Sequence, residues 1–161
     1  MKLIDCLLYL ALSGIVFFVL GRLLPKRWFH PDRGPWRSFV FEKEGRLYER
    51  LKIKRWQNFL PDMSRILPGV MPAKKMGVGY TAAQLDTMIR ETCVAELTHV
   101  LLCLAALPCL VLWRGPGGAA VFGVYVLGNL PFILIQRYNR PRLRRLYARQ
   151  KKQEDAGKCE R

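Results

Sequence analysis

Acidic residues are scarce in this chain. Only 12 Asp and Glu stand against 27 Lys and Arg, for a formal net charge of +15 in 161 residues. Histidine is scarcer still, with only His30 and His99. The five cysteines, Cys6, Cys93, Cys103, Cys109 and Cys159, form no Cys-x-x-Cys pair, which argues against a disulfide framework or a zinc site of that spacing. A di-metal helix bundle needs two Glu-x-x-His motifs and further carboxylates. One such motif is present, Glu96-x-x-His99, so no metal is expected. There is no glycine-rich phosphate loop and no base-reading motif, and nucleic acid is not an expected partner despite the charge.

Charge is also sparse in three long stretches, and that scarcity is the most informative. They lie near residues 3–24, 94–113 and 117–136. Each approaches the roughly 20 residues that a helix needs to cross a hydrocarbon core of about 30 Å. Backbone in lipid must satisfy itself, so these runs predict helices. The fold class expected is an all-α integral membrane protein with three transmembrane helices, organised as one membrane domain over 1–161. No small-x-small site precedes Leu24-Pro25-Lys26-Arg27-Trp28, so the first run reads as an uncleaved anchor. Of the basic residues, one precedes the first run and one, Arg114, separates the second from the third; fifteen lie between Arg22 and Arg90 and ten from Arg137 onward. The positive-inside rule then places the N-terminus outside and the segment 25–93 and the basic tail 137–161 in the cytoplasm, as for a bacterial inner membrane. Three helices bury little surface, so a homodimer is a reasonable assembly.

Between the first two runs, Trp28, Phe29 and Trp36 suit the membrane interface. Ser38 to Leu60 predicts an amphipathic interfacial helix with Leu47, Leu51, Trp56 and Phe59 on one side, although Leu51-Lys52-Ile53-Lys54-Arg55-Trp56 also alternates like a strand. Pro61 to Tyr80 reads as a loop. Thr81 and Gln84 fit a capping box, starting a helix that meets no Pro or Gly until Pro108. From Lys151 the chain reads as disordered.

The candidate chemistry lies inside the apolar runs. Glu96 and His99, three apart, share a helix face with Leu85, Ile89 and Thr92. An ionisable residue at membrane depth usually faces the bundle interior or a wet cavity. The blander reading has Glu96 reaching the interface and His99 packed in a core. The third run carries Asn129 and Pro131. The short Arg114-Gly115-Pro116-Gly117-Gly118 turn makes a helix hairpin on which Asn129 and His99 meet. Pro131 removes an amide and frees the Leu127 carbonyl, which predicts a kink and a small polar cavity; simple helix packing through Asn129 is the alternative. At the cavity's mouth stand Gln136, Arg137, Tyr138, Asn139 and Arg140, with Arg55, Trp56 and Asp62 as an opposing wall. Arginine forks match phosphate. Membrane anchoring alone accounts for most of the remaining tail cations.

"ETCVAELTH" (residues 91–99) and "GNLPFILIQRYNRPRL" (residues 128–143) resemble the glycosyl-diaponeurosporenoate acyltransferase family, the small membrane enzymes of staphyloxanthin-type carotenoid biosynthesis. "SFVFEKEG" and "KRWQNFLPD" are similar to earlier blocks of that family, in the same order, so the resemblance runs from about Ser38 to Leu146. It implies transfer of a fatty acyl group to a hydroxyl of a membrane-bound glycolipid or glycosylated isoprenoid or carotenoid, and the cytoplasmic leaflet is the place expected for it. No cofactor is expected beyond an acyl donor such as acyl-CoA or acyl carrier protein. Physical reasoning then assigns His99 as general base, Glu96 as its orienting carboxylate and Asn129 as donor to the oxyanion. Arg55, Trp56, Asp62, Gln136, Arg137, Tyr138, Asn139 and Arg140 become the binding residues for phosphates or headgroup. Two other classes stay open: a non-catalytic membrane adaptor that binds anionic lipid or a partner protein, and another lipid-modifying transferase.

Overall fold

The computed structural model describes residues 2–40, 42, 46–59 and 79–159. The expected loop is therefore almost wholly outside the described residues, and Asp62 with it. The described residues are helical and turn structure without a strand. Three helices are long and apolar enough to cross a membrane: Lys2–Leu23, Ala82–Leu112 and Pro116–Gly157. The chain forms two compact units, Met1–Phe29 with Cys93–Gln136, and His30–Thr92 with Arg137–Arg161.

In the first unit, α1 (Lys2–Leu23) is apolar on all sides yet buries only Cys6 and Leu10. Leu3, Leu7, Leu8, Leu12 and Ile15 stay exposed, as suits a helix whose outer surface meets acyl chains. Cys6 and Leu10 pack with Ala106 and Cys109, ringed by Tyr9, Trp113, Val121, Phe122 and Tyr125. Here cysteine serves as a small apolar side chain. Helix α4 (Ala82–Ala105) ends where Pro108 supplies no amide, and the one-turn α5 (Cys109–Leu112) follows. The hairpin then turns at Gly115, whose φ of 101° lies in the left-handed region that glycine tolerates. Pro116 opens the last helix, α6 (Pro116–Cys159), at a position where a missing N–H costs nothing. At Gly118 a Cβ would sit 2.1 Å from the Trp113 carbonyl oxygen and 2.6 Å from that of Cys109. Only glycine allows so close an approach of backbone to backbone.

In the second unit, the expected interfacial helix is broken into pieces: α2 (Arg46–Arg50), α3 (Ile53–Trp56) and a 3-10 turn, Gln57–Phe59. Lys52, at φ 52°, interrupts the helical path between α2 and α3, and the Trp56 indole closes the break by donating to the Leu51 carbonyl at 3.1 Å. The face also differs from expectation. Tyr48 and Ile53 are the buried residues, while Leu51 is exposed and Phe59 is 88% exposed. Helical periodicity cannot run unbroken through a left-handed residue.

The capping box at the start of α4 forms as expected. The Thr81 amide donates to Gln84 Oε1 at 2.9 Å, and the Gln84 amide donates to Thr81 Oγ1 at 3.3 Å. The next turns bury Leu85, Met88 and Ile89 against Leu143 of α6, flanked by Tyr80 and Tyr147. This contact explains the main departure from the sequence reading. The tail is not disordered from Lys151: α6 continues to Cys159. Its Leu143 and Tyr147 have an apolar partner, and Glu154 Oε1 accepts from the Ala82 amide at 2.8 Å. One of the donors orphaned at the start of α4 is satisfied by the far end of the chain.

Candidate active site

The membrane unit holds the pair that the sequence singled out. His99 Nδ1 lies 2.9 Å from Asn129 Oδ1. The Asn129 amide is oriented by a second contact, because its Nδ2 donates to the Tyr125 carbonyl at 2.9 Å. A carbonyl only accepts, so the nitrogen of the amide must face Tyr125 and its oxygen must face the imidazole. An amide oxygen also only accepts. The proton of a neutral His99 ring therefore sits on Nδ1, and Nε2 carries the lone pair. The ring plane is set by Phe132, one turn along α6 from Asn129. The two rings stack with centroids 4.7 Å apart and planes 9° from parallel.

This arrangement redistributes the expected roles. The place at Nδ1 that a triad carboxylate would take is filled by Asn129 Oδ1. Asn129, expected to serve an oxyanion, commits its oxygen to His99 and an N–H to Tyr125. Glu96 lies one turn earlier on α4 and is 4% exposed, a buried carboxylate on the same helix face. Asn129 is itself buried at 9% exposure. Around the pair the outer surface is apolar and open: Val100 and Leu104 on α4 and Leu127 and Leu130 on α6 are exposed. α6 runs on through Pro131, which withholds an amide from the Leu127 carbonyl.

The cations expected to bind phosphate lie in the second unit, where they hold protein. Arg137 Nε donates to Glu42 Oε1 at 2.7 Å, and its two terminal nitrogens donate to the carbonyls of Pro35 and Arg37 at 3.1 and 3.3 Å. The guanidinium also sits 4.6 Å over the Phe39 ring. Glu42 is 2% exposed and fully employed: it further accepts from Tyr48 Oη at 2.8 Å and from the Phe39 amide at 3.2 Å. Burial, with the hydrogen bond to Glu42, pushes the Tyr48 phenol up to about 12, so it remains a donor at physiological pH. Arg140, 3% exposed, donates to Thr92 Oγ1 at 2.9 Å, to the Trp36 carbonyl at 2.8 Å and to the Thr92 carbonyl at 3.2 Å. These two arginines fasten residues 35–37, Phe39, Glu42 and Thr92 to α6.

The other expected residues fall as follows. Tyr138 is buried with Arg142 4.8 Å over its ring. Asn139 Oδ1 is buried and has no hydrogen-bond partner among the described residues. Arg55 is exposed, and Trp56 and Gln136 are half-buried. Glu42 and Tyr48 went unrecognised in the sequence. Glu42 is one of three glutamates between Ser38 and Arg50, and no local pattern marks it as the one that is buried.

The model of the family described as glycosyl-4,4'-diaponeurosporenoate acyltransferase matches residues 25–149. Proteins of that name from Staphylococcus aureus strains bovine RF122 / ET3-1, MRSA252 and USA300 are 26% identical to the chain over 144 residues, covering 88% of this chain and 85% of each relative. No solved structure matches it.

Proposed function

Because the chain belongs to the glycosyl-4,4'-diaponeurosporenoate acyltransferase family and is a membrane-spanning acyltransferase, we propose that it moves a fatty acyl group onto a hydroxyl of a glycolipid or glycosylated isoprenoid, with His99 as the general base. The relatives' name supplies the acceptor class, a sugar-bearing carotenoid acid. The apolar, open surroundings of the pair support an acceptor that arrives sideways from the bilayer. The carrying observation is the Asn129 contact, which leaves the His99 Nε2 lone pair free.

The reaction balances without a cofactor. The acceptor O–H gives its proton to Nε2 as its oxygen attacks the carbonyl of an acyl thioester, either acyl-CoA or acyl carrier protein. The tetrahedral intermediate collapses, the C–S bond breaks, and the departing sulfur takes the proton back from Nε2. Ester and free thiol are the products. Asn129 holds the ring and its tautomer; Glu96, buried on the same face, favours the transient imidazolium. Arg137 and Arg140 maintain the segment from Pro35 to Glu42. The charge distribution supports an N-terminus outside, a cytoplasmic tail and chemistry at the inner leaflet.

The test is lipid mass spectrometry of membranes from cells that are given glycosylated isoprenoid or other glycolipid acceptors and express either the wild-type chain or His99→Ala. A species heavier by one fatty acyl chain is expected with wild type and reduced about 10²–10⁴-fold in the variant. Undiminished product from membrane-inserted His99→Ala rules out the base assignment. A wild-type membrane that acylates none of the acceptors points instead to a lipid or partner adaptor.

A further inference from the structure

Asn129 leaves one requirement of the His99 site to other groups. It is neutral, so it holds the ring without compensating the positive charge that the ring acquires when Nε2 takes a proton. The group in face contact with the ring is Phe132, at 4.7 Å and 9°. An aromatic face carries negative potential, and a cation within about 6 Å of its centroid is attracted more strongly where water is excluded. The pair lies in the membrane unit, on helices whose exposed neighbours are Val100, Leu104, Leu127 and Leu130. Stacking also removes the freedom of the His99 ring to rotate about its own bond, which aims Nε2.

We propose that Phe132 is a positioning residue for acyl transfer, acting through His99: its face fixes the ring plane and supports the imidazolium formed in the transition state. The proposal rests on His99 being the general base. It requires an aromatic ring at 132, not merely a bulky apolar side chain. Phe132→Leu lowers kcat about tenfold, the size of a partly desolvated ring–cation contact, and leaves KM near its wild-type value. Phe132→Trp restores most of the rate.

The deciding experiment keeps the shape and changes only the ring's electrons. Mono-, di- and trifluorinated phenylalanine are incorporated at position 132 of the full chain, in membranes where the wild-type chain forms the acylated lipid. Each fluorine drains the negative face at nearly constant volume, so kcat should fall stepwise, by about tenfold across the series. A flat series, with His99→Ala inactive in the same membranes, overturns the role of Phe132 and leaves the base assignment standing. An active His99→Ala removes the base itself. The fluorinated series decides the matter even where Phe132→Leu does not fold.

Discussion

Asn129→Ala removes two hydrogen bonds of 2.9 Å, one to His99 Nδ1 and one to the Tyr125 carbonyl. Each is worth about 0.5–1.5 kcal/mol net, and the effect on turnover comes through the ring. Without Oδ1 the imidazole proton is free to move to Nε2, and a ring in that tautomer cannot act as base. If the loss of order reaches the transition state in full, the two bonds amount to about 1–3 kcal/mol, or roughly five- to 160-fold in kcat. The upper bound is the roughly 10⁴-fold penalty of a wrong tautomer in a serine-protease triad. KM should change little, because Asn129 is spent on protein groups. Asn129→Asp keeps an acceptor at Nδ1 and should retain more activity than the alanine variant. The assay is the initial rate of acyl-lipid formation in nanodiscs, with nitrogen NMR of the imidazoles. The chain has only two histidines, so His30→Gln leaves a single ring to observe. Wild type should show a protonated Nδ1 and a bare Nε2, and Asn129→Ala a mixture. Unchanged kcat and an unchanged tautomer in Asn129→Ala would refute the reasoning.

Two further outcomes test the framework. Glu42→Ala removes the carboxylate that lies 2.7 Å from the mostly buried Arg137 guanidinium and should cost about 3–5 kcal/mol, read as a lowered melting temperature in detergent; adding Arg137→Met should recover much of the loss, which a purely local role for Glu42 would not allow. Gly118→Ala forces a Cβ against the carbonyls of Trp113 and Cys109 and should cost at least about 1–3 kcal/mol, seen as loss of monodisperse protein on extraction, whereas Gly123→Ala, with nothing within 4 Å, should extract normally.

Much of the membrane unit was legible because its rules are local or pairwise along a hairpin. Three long apolar runs specify three helices. Gly115 and its neighbours mark the turn, and a turn of known length places Asn129 opposite His99. Thr81 and Gln84 lie three residues apart, so their reciprocal capping can be read directly. The misreadings concern long-range ownership. Arg137 and Arg140 look like free anion binders because their partners lie far back in the chain: Glu42 is 95 residues away and the Trp36 carbonyl 104. No local pattern reveals that these donors are already engaged. The stretch from Lys151 looked disordered because its composition is polar, yet it continues a helix anchored by Leu143 and Tyr147, and Glu154 finds a partner at the start of α4. The break at Lys52 is a left-handed lysine, a conformation that no lysine announces.

The lock on His99 Nδ1 also sets the traffic of protons. A ring whose far nitrogen is held by an amide oxygen cannot pass a proton through itself. In the proposed transfer, a proton that arrives at Nε2 departs from Nε2, to the leaving sulfur. Each turnover then returns the ring to its starting state with no proton taken from either side of the bilayer. The chemistry needs no water file to the cytoplasm, and its rate should be indifferent to the proton-motive force across the membrane in which the enzyme sits.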